Sequence, residues 1–467
     1  MKPISLPDVS TECNYNSIDP LDSRYYDTEI ARYLSEHSRI TFQAYIEAAL
    51  AHALADTGIC TSDIAEQIET AANQINTEDI YAEELTTKHD IKAVVNCIKK
   101  QLPEAAQPYV HFGATSYDVI STASALQLRS TIQELILPRL HSLLQTLLTL
   151  TKDHASTVQI GRTHGQHAVP ITFGFAMAEY VSRLGENMQV LDKLSKQLKG
   201  KFSGAVGAYN ALSVFVDDPI AFEKNLLSKL GLEPAPYTTQ IVPAEATIRL
   251  MDELTISAGI MANLAHDMRH LQRTEIAEVR ERFEPGQTGS STMAHKRNPW
   301  NFENIISMSK QVTAQMLNAN LNISSEHQRD LTDSASSRFY AISLGCVASM
   351  LTRLNTVMSK LEIDNENMQR NLHLTEGAIA AEPLYLLLEK YGHSQAHEAS
   401  KLIAHAALEA HITLFAAAEK DEAISDYWQQ LTDKEREYIK NPESTYTGLA
   451  AKKAMMIHDY WKSKIGA

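Results

Sequence analysis

Long apolar stripes at helical spacing constrain the fold of this chain more than any other feature of its sequence. Residues 245–282 contain neither a proline nor a pair of adjacent glycines, and they predict one long helix. Residues 339–361 predict a second long helix. Apolar residues also recur at three- and four-residue steps in 126–150 and 181–198, and Pro138 predicts a kink or a helix boundary in the first of these stretches.

Helices of this length are expected to pack against one another. At about 1.5 Å per residue each would extend about 40 Å, and few charges interrupt their apolar faces, so a bundle should form within one chain or with partner chains. Alternating β-branched runs bounded by turns are scarce, which argues against a β-rich fold. Breaks in the pattern divide the chain into an N-terminal helical domain (1–108), a central long-helix bundle domain (109–364) and a C-terminal helical domain (365–467).

The charge balance of the chain excludes some classes of partner. The 467 residues include 57 acidic and 42 basic side chains, with a formal net charge of −15. Nucleic-acid binding normally leaves a basic surface, so we expect no general affinity for nucleic acid. A small anionic ligand is compatible with this balance, because a few local cations can dominate one cleft.

Cysteine usage and hydropathy predict the compartment. The four cysteines (Cys13, Cys60, Cys97 and Cys346) form no C-x-x-C pair, which argues against a disulfide framework or a zinc site. The first residues lack the apolar core of a signal peptide. The longest uncharged stretch in the apolar later region, 339–352, is shorter than the roughly 20 residues that span a bilayer. We therefore predict a cytoplasmic protein with no membrane partner.

Short polar segments containing glycine, hydroxyl, imidazole or guanidinium groups separate the predicted helices, and helix packing does not require them. In chain order they read LDSRYY (21–26), TKHDIKAV (87–94), VHFGATSYDV (110–119), GRTHGQHAVP (161–170), GQTGSSTMAHKRNPW (286–300) and HQRDLTDSASSR (327–338). Loops held by a rigid scaffold are where functional sites are usually built. As a set, the segments therefore predict a site.

Each polar segment has an ordinary explanation when it is taken alone. His164 and His167 would then be loop histidines bonded to nearby backbone, without the acid or cysteine expected of a metal site. Arg329 and Arg338 would pair with neighbouring aspartates. The segment 286–300 is not a Walker phosphate loop, because its lysine follows its serines.

Taken in order, these segments resemble those of the aspartase/fumarase superfamily and, within it, of the adenylosuccinate lyases. GSSTMAHKRNP matches the superfamily form G-S-S-x-M-P-x-K-x-N-P at every fixed position except Ala294. HFGATSYD is similar to the H-F-G-x-T-S-x-D form of the adenylosuccinate lyases, whereas argininosuccinate lyases, fumarases and aspartases carry other forms. GRTHGQHA, YTTQI and QRDLTDS also match. The resemblance spans about 24–338, and the C-terminal residues add little.

The resemblance implies a mostly α, three-domain aspartase/fumarase-like fold with a central long-helix bundle. It implies a homotetramer whose active sites combine segments from different subunits. The implied reaction is a β-elimination that releases fumarate from adenylosuccinate, leaving AMP, and from the succinylated carboxamide intermediate SAICAR, leaving AICAR. Neither a metal nor an organic cofactor is expected at such a site.

The resemblance assigns catalytic roles to five residues. Ser290, the first serine of its pair, matches the base that removes a proton next to a carboxylate, and Lys296 matches the cation that stabilises the resulting charge. His164 matches the general acid for the departing nitrogen, and Glu303 matches the carboxylate that orients this acid and favours its protonated form. His89 matches a second histidine, which assists at the phosphate or at the acid.

Ten further residues match substrate contacts, with side chains that suit phosphate, carboxylate or succinyl groups. They are Arg24, Tyr25, Asp90, Thr115, Ser116, Gln240, Asn298, Arg329, Ser334 and Arg338. The chain departs from the family pattern at Ala294, where proline is usual. Because proline fixes φ, alanine should loosen this segment and affect the rate of loop closure more than the chemistry.

Two alternatives stay open from the sequence alone. Another superfamily lyase or a cycloisomerase would share the helical frame, although Arg24, Tyr25 and the QRDLTDS segment favour a nucleotide substrate. A helical scaffold without catalysis would show loss of the base or the acid. Ser290 and His164 are both present, which favours an enzyme.

Overall fold

A computed structural model describes residues 28–284, 286, 292–293 and 295–466, and these residues are mostly helical, as predicted. The α-helices are α1 (Thr28–Leu34), α2 (Glu36–Asp56), α3 (Ser62–Asn73), α4 (Thr77–Thr87), α5 (Asp90–Lys100), α6 (Ser116–Ser130), α7 (Leu137–Asp153), α8 (Phe173–Lys196), α9 (Pro219–Lys229), α10 (Glu245–Leu271), α11 (Trp300–Leu321), α12 (Tyr340–Met358), α13 (Asn365–His373), α14 (Ala381–Lys390), α15 (Ala396–Ala410), α16 (Leu414–Lys420), α17 (Ser425–Trp428), α18 (Asp433–Lys440), α19 (Pro442–Thr445) and α20 (Ala450–Ile465).

The strands of the described residues are short and form three two-stranded sheets. They are β1 (Val158–Thr163), β2 (Gln166–Thr172), β3 (Lys199–Gly200), β4 (Glu233–Pro234), β5 (Val279–Arg280) and β6 (Glu362–Ile363). β1 pairs antiparallel with β2, β3 parallel with β4, and β5 antiparallel with β6. Among the described strands, β1 and β2 alone are joined by a tight turn and form a hairpin.

The chain divides into two compact units, each built from separate stretches of sequence. The first unit comprises Met1–Arg139, Gln189–Ala258 and Met308–Met350, and the second comprises Leu140–Met188, Gly259–Ser307 and Leu351–Ala467. The boundaries proposed from the sequence (1–108, 109–364 and 365–467) remain a prediction.

Each unit has its own buried core. In the first unit, α2 packs against α3 and α6 and buries its small and aliphatic residues, Ile46, Leu50 and Leu54 among them. In the second unit, the C-terminal helices from α14 to α18 enclose Leu384 and Trp428. Both cores follow the helical apolar spacing that the sequence shows.

The longest predicted helix ends earlier than expected. α10 stops at Leu271, and the chain then turns through Ala277, whose φ of 53° lies in the left-handed region, before it enters β5. The prediction of one helix over 245–282 was therefore wrong at its C-terminal end. The helix predicted over 339–361 was correct to within a few residues, since it corresponds to α12.

Pro138 marks a helix boundary, as predicted. Residues Thr131–Ile136 form a π-helical stretch between α6 and α7, and Leu137 donates its N–H to the carbonyl of Ile132, five residues earlier. Pro138 follows as the second residue of α7. Because proline has no N–H to donate four residues back, the α-helical ladder cannot continue unbroken through this position.

One helix in the described part of the chain is long and apolar enough to span a membrane by length and composition. It covers Ser336–Met358, and 72% of its most apolar window is buried inside the protein. Such burial is typical of a core helix in a soluble protein, because a membrane-spanning helix would present this surface to lipid.

Candidate active site

A cavity of about 700 Å³ lies in the first unit and gathers many of the predicted site residues. The predicted residues among those that line it are His89, Asp90, Ser116, Gln240, Ser334 and Arg338. They come from three of the six polar segments and from the YTTQI motif (237–241), which are far apart in sequence. The fold therefore brings together, around one cavity, side chains that the sequence identified separately.

Two helix N-termini meet at this cavity. His89 is the N-cap of α5, and Ser116 is the first residue of α6. Their side chains approach each other, with His89 Nε2 and Ser116 Oγ 3.4 Å apart. Because a helix N-terminus carries unpaired N–H groups and a partial positive charge, this arrangement favours an anionic group between the two side chains.

The two nitrogens of His89 have different surroundings. Nδ1 accepts the backbone N–H of Lys92 at 3.4 Å and lies 3.4 Å from Asp90 Oδ1. Nε2 faces Ser116. With Nδ1 as an acceptor, a neutral His89 carries its proton on Nε2 and can donate this N–H to a ligand.

A buried ion pair fixes the segment that carries Thr115 and Ser116. Asp118 and Lys201 pair with each other, and both side chains are 0% exposed. Asp118 Oδ2 accepts the N–H of Thr115 at 2.9 Å, and Oδ1 accepts the N–H groups of Ser203 at 3.1 Å and Gly204 at 3.2 Å. Thr115 itself does not line the cavity. As the N-cap of α6 it connects the buried ion pair to the start of this helix.

Asp118 and Lys201 were not among the residues predicted from the sequence. Asp118 stands three residues after Thr115, which is the spacing of a capping box and the signal that could have identified it. No local pattern indicates Lys201, because 83 residues separate the two partners.

The segment that carries Gln240 is tied to the same anchor. Ser203 Oγ and Thr238 Oγ1 lie 2.6 Å apart. Gly207 lies at a φ of 78°, and a Cβ at this position would collide with the carbonyl of Thr238. Gln240 in turn donates its N–H to the carbonyl of Gln328 at 3.2 Å. Backbone and hydroxyl contacts thus fix the relative positions of three separate segments around the cavity, those that carry Ser116, Gln240 and Ser334.

Arg329 lies behind the cavity wall. Its side chain is 9% exposed, and its guanidinium stacks 4.1 Å from the centre of the Tyr117 ring and hydrogen-bonds the Tyr117 hydroxyl. Nη1 lies 2.8 Å from Asp333 Oδ1. Tyr117 and Asp333 line the cavity, whereas Arg329 does not. Burial raises the pKa of the Tyr117 hydroxyl, although the nearby Arg329 charge opposes that rise.

Arg338 meets an acid that the sequence analysis did not single out. Its Nη1 lies 3.6 Å from Glu36 Oε1, and Glu36 also pairs with Arg39 at 2.7 Å and accepts the Tyr81 hydroxyl at 2.6 Å. Burial raises the pKa of Glu36, but Arg39 and Tyr81 outweigh this effect and hold it below its usual value. In this cavity an anionic ligand would compete with Glu36 for Arg338.

The second unit presents His164 at the tip of the β1–β2 hairpin. Thr163 pairs with Gln166, so His164 and Gly165 form a two-residue turn. Their φ values are 55° and 74°, as a type I′ turn requires at both central positions. His164 is exposed. A residue other than glycine in the left-handed region is uncommon and often marks a functional position.

A buried carboxylate holds the base of this hairpin. Glu278 accepts two hydrogen bonds from Arg162, at 2.6 and 3.2 Å, and one each from Gln159 and Asn371, both at 2.7 Å. Its side chain is fully buried. The exposed turn therefore stands on a rigid base, because every strong acceptor site of Glu278 is occupied.

The remaining described site residues of the second unit are Lys296, Asn298 and Glu303. Lys296 is exposed and Asn298 is half-buried. Glu303 pairs with Arg269, at 3.2 Å between Nε and Oε1, and both side chains are about half exposed. The expectation that Glu303 orients the His164 imidazole therefore stays a prediction. Arg24, Tyr25, Ser290 and Ala294 lie outside the described residues.

Two family models match successive parts of the chain. Residues 23–314 match the family model described as Lyase, and residues 325–438 match that described as Adenylosuccinate lyase C-terminal. The second match corrects the expectation that the C-terminal residues add little to the resemblance, since it extends well beyond residue 338.

Individual relatives match over nearly the whole chain. The adenylosuccinate lyase of Pyrococcus abyssi is 37% identical and covers 93% of this chain and 96% of its own length. That of Methanocaldococcus jannaschii is 34% identical, with coverages of 93% and 94%. The solved 3-carboxy-cis,cis-muconate lactonizing enzyme from Pseudomonas putida has a TM-score of 0.84 at 27% identity, covering 95% of this chain and 98% of that one.

The long-helix fold and the matched segments define a lyase of the aspartase/fumarase superfamily. The fold alone does not separate the lyases of this superfamily from its lactonizing enzymes, because both share it. Sequence identity is more specific, and on that basis the chain belongs to the adenylosuccinate lyase family.

Proposed function

We propose that this protein cleaves adenylosuccinate to fumarate and AMP, and SAICAR to fumarate and AICAR, by β-elimination. The observation that carries the proposal is the cavity of the first unit, where His89, Ser116, Gln240, Ser334 and Arg338 converge at two helix N-termini. A doubly charged succinyl group and a phosphate both need such donors. The relatives named adenylosuccinate lyase support the same substrate.

In the proposed reaction, Ser290 removes a proton from the succinyl carbon next to a carboxylate. The electron pair of the broken C–H bond forms the double bond of fumarate, and the pair of the C–N bond leaves with nitrogen. His164 donates a proton to that nitrogen, which completes the balance. Lys296 and Asn298 stabilise the charge that develops on the carboxylate before the C–N bond breaks.

The substrate would be held mainly by the first unit. Ser116 and Gln240 are proposed to bind the succinyl carboxylates, because they line the cavity and the Asp118 anchor fixes their segments. For Thr115 the same role requires its side chain to reach the cavity that it does not line in the described state. Arg338 and Ser334, with Arg24, Tyr25 and Arg329, are proposed to bind phosphate. For Arg329 this requires Asp333 to yield its place, since the two side chains pair in the described state.

We also propose that the protein works as a cytoplasmic homotetramer with shared active sites. The exposed position of His164, with no acidic partner from its own Glu303, fits an acid that is completed by another subunit. Leu317 and Leu321, one helical turn apart on α11, are exposed together with Ile323. An apolar stripe of this kind on a long helix suits a partner helix.

The direct test is to incubate the purified protein with adenylosuccinate and to follow fumarate and AMP. Release of both products at equal rates is expected. The high structural similarity to a lactonizing enzyme makes a carboxymuconate the second substrate to test, with argininosuccinate beside it. Turnover of either without turnover of adenylosuccinate would overturn the proposal, and a protein inert on all three would favour a scaffold.

A further inference from the structure

The two ends of the signature segment, residues 282–299, belong to the described residues: the chain enters the segment after Glu281 and begins helix α11 at Trp300. This segment carries Lys296 and Asn298 near its second end. Three described contacts join the two ends. The Glu281 carboxylate binds the start of α11, the Gln272 side chain binds the carbonyl of Arg297, and the Arg297 guanidinium lies over the Phe283 ring. Two of the residues involved, Gln272 and Glu281, lie within 245–282, the stretch that the sequence predicts as one helix.

The first contact is a buried carboxylate that caps a helix from a distance. Glu281 is 1% exposed. Its Oε1 accepts the N–H groups of Asn301 and Phe302, both at 3.1 Å, and its Oε2 accepts the side-chain amide of Asn301 at 2.7 Å. These backbone N–H groups belong to the first turn of α11, where no intrahelical partner exists. A residue at one end of the signature segment thus caps the helix at the other end.

The second contact is made by Gln272, just after α10. Its Oε1 accepts the N–H of Glu281 at 2.9 Å, and its Nε2 donates to the carbonyl of Arg297 at 3.3 Å. The third contact places the Arg297 guanidinium 5.5 Å from the centre of the Phe283 ring. Arg297 is therefore held both by its backbone and by its side chain.

We infer that Gln272 and Glu281 are positioning residues of the active site, forming a clasp that sets where Lys296 and Asn298 stand. Arg297 lies between Lys296 and Asn298 in sequence, so any displacement of Arg297 also moves both of these neighbours. The inference rests on the proposed function of Lys296 and Asn298. It adds two residues that the family motif of this segment does not contain.

The chemistry of the site argues that Glu281 is more than a convenient cap. Helices are usually capped by a serine, threonine, aspartate or asparagine directly before the first turn. Pro299 precedes α11 and has no side-chain acceptor. A buried carboxylate is costly unless it is fully hydrogen-bonded. Burial raises the pKa of Glu281, although its three hydrogen bonds oppose that rise.

The clasp is tested first with Glu281→Gln in the intact protein. The variant keeps the shape of the side chain, but its new NH2 group would face the NH2 group of Asn301. Two hydrogen-bond donors would then meet without an acceptor. We expect kcat for adenylosuccinate to fall about tenfold or more, because a misplacement of about 1 Å can cost up to roughly 10² in rate. KM should change by less than about threefold, since the first unit holds most substrate contacts.

A rescue variant separates positioning from general damage. In Glu281→Gln with Asn301→Asp, the new carboxylate accepts the new amide, and the pair is restored with its roles exchanged. Asn301→Asp alone should be harmful because two carboxylates then face each other. Recovery of most of the lost kcat in the double variant is expected. A double variant no better than Glu281→Gln would overturn the inference.

A readout independent of turnover is the rate of tryptic cleavage after Lys296 and Arg297, identified by mass. Glu281→Gln should be cleaved faster than the parent protein, and the double variant at close to the parent rate. Glu284→Gln is the matched control, because Glu284 lies on the same segment but is exposed and pairs with Lys360 at 2.6 Å. It should change neither kcat nor cleavage.

The remaining outcomes are also decisive. If Glu281→Gln does not fold, Gln272→Leu is the second variant. It removes both glutamine contacts and leaves the buried Glu281 carboxylate with its hydrogen bonds to α11. It should reproduce the fall in kcat and the faster cleavage. Unchanged kcat and cleavage in either folded variant would overturn the inference. An inactive parent protein would refute the proposed function instead, and the cleavage rates would still test the clasp.

Discussion

The cavity of the first unit and the hairpin tip of the second prepare their functional groups in opposite ways. Partners from the same unit fix the segments around the cavity, such as the Asp118 carboxylate that accepts the N–H of Thr115 and the Tyr117 ring that lies beneath Arg329. At the hairpin tip, His164 is exposed above a buried Glu278 network. The contacts around the cavity thus lie within one unit, whereas the hairpin tip presents an exposed imidazole on a rigid turn.

The strongest test of this contrast is His164→Asn. Asparagine tolerates the left-handed region, so the turn should survive while the general acid is lost. We expect kcat for adenylosuccinate to fall by roughly 10² to 10⁴-fold, with circular dichroism and Tm unchanged. His411→Asn is the matched control, since His411 is also exposed and has a φ of 51°. A fall of less than about threefold in His164→Asn would remove His164 from the acid role.

The cavity should respond in binding more than in chemistry. Arg338→Met removes a guanidinium that lines the cavity and is only 3.6 Å from Glu36. A hydrogen bond to a charged group contributes about 1.5–3 kcal/mol, so KM should rise by roughly 10- to 100-fold while kcat changes little. Steady-state kinetics at several salt concentrations measure this. A variant that lost kcat but kept KM would show that Arg338 acts in the chemical step.

A smaller effect is expected from the ion pair between His111 and Glu47 in the first unit. His111 has a φ of 63° and places Nδ1 2.7 Å from Glu47 Oε1. Burial lowers the pKa of His111, but the charge and hydrogen bond of Glu47 outweigh it and raise this pKa above its ordinary value. A raised folded-state pKa stabilises the fold fully below the unfolded value of about 6.5, and this stability is lost as pH rises through the folded-state pKa.

His111→Asn should therefore lower Tm most on the acidic side of about pH 6.5 and least in alkaline buffer. Asparagine keeps the left-handed backbone, which isolates the loss of the charge. Thermal unfolding of both proteins at one fixed concentration measures the difference across pH. A loss of Tm that grew with pH would contradict the sign of the shift.

The smallest effect is predicted for Ala294→Pro, which restores the usual residue of the family pattern. Because proline fixes φ and removes no group that the proposed chemistry uses, activity should stay within a small factor of the parent protein. Ser290→Ala is the reference for a true loss. Comparable losses in the two variants would show that the segment needs the freedom of alanine.

The long helices could be predicted from sequence because their apolar spacing is local. The same spacing failed after Leu271, where Glu278 and Glu281 are buried carboxylates that bind distant partners. Lys201 was missed for a related reason, since its partner Asp118 is remote in sequence. Motif matches identified residues that face the cavity, whereas residues that hold those groups in place are set by long-range contacts that periodicity does not reveal.

The left-handed turn at the hairpin tip also narrows which amino acids can stand at position 164. Apart from glycine, the residues that adopt this backbone most readily are asparagine, aspartate and histidine. Of these, only histidine has an ordinary pKa near neutrality and can give up a proton there and regain it. A turn of this geometry therefore restricts the choice of a proton donor almost to one amino acid, so that backbone shape and chemical identity are selected together.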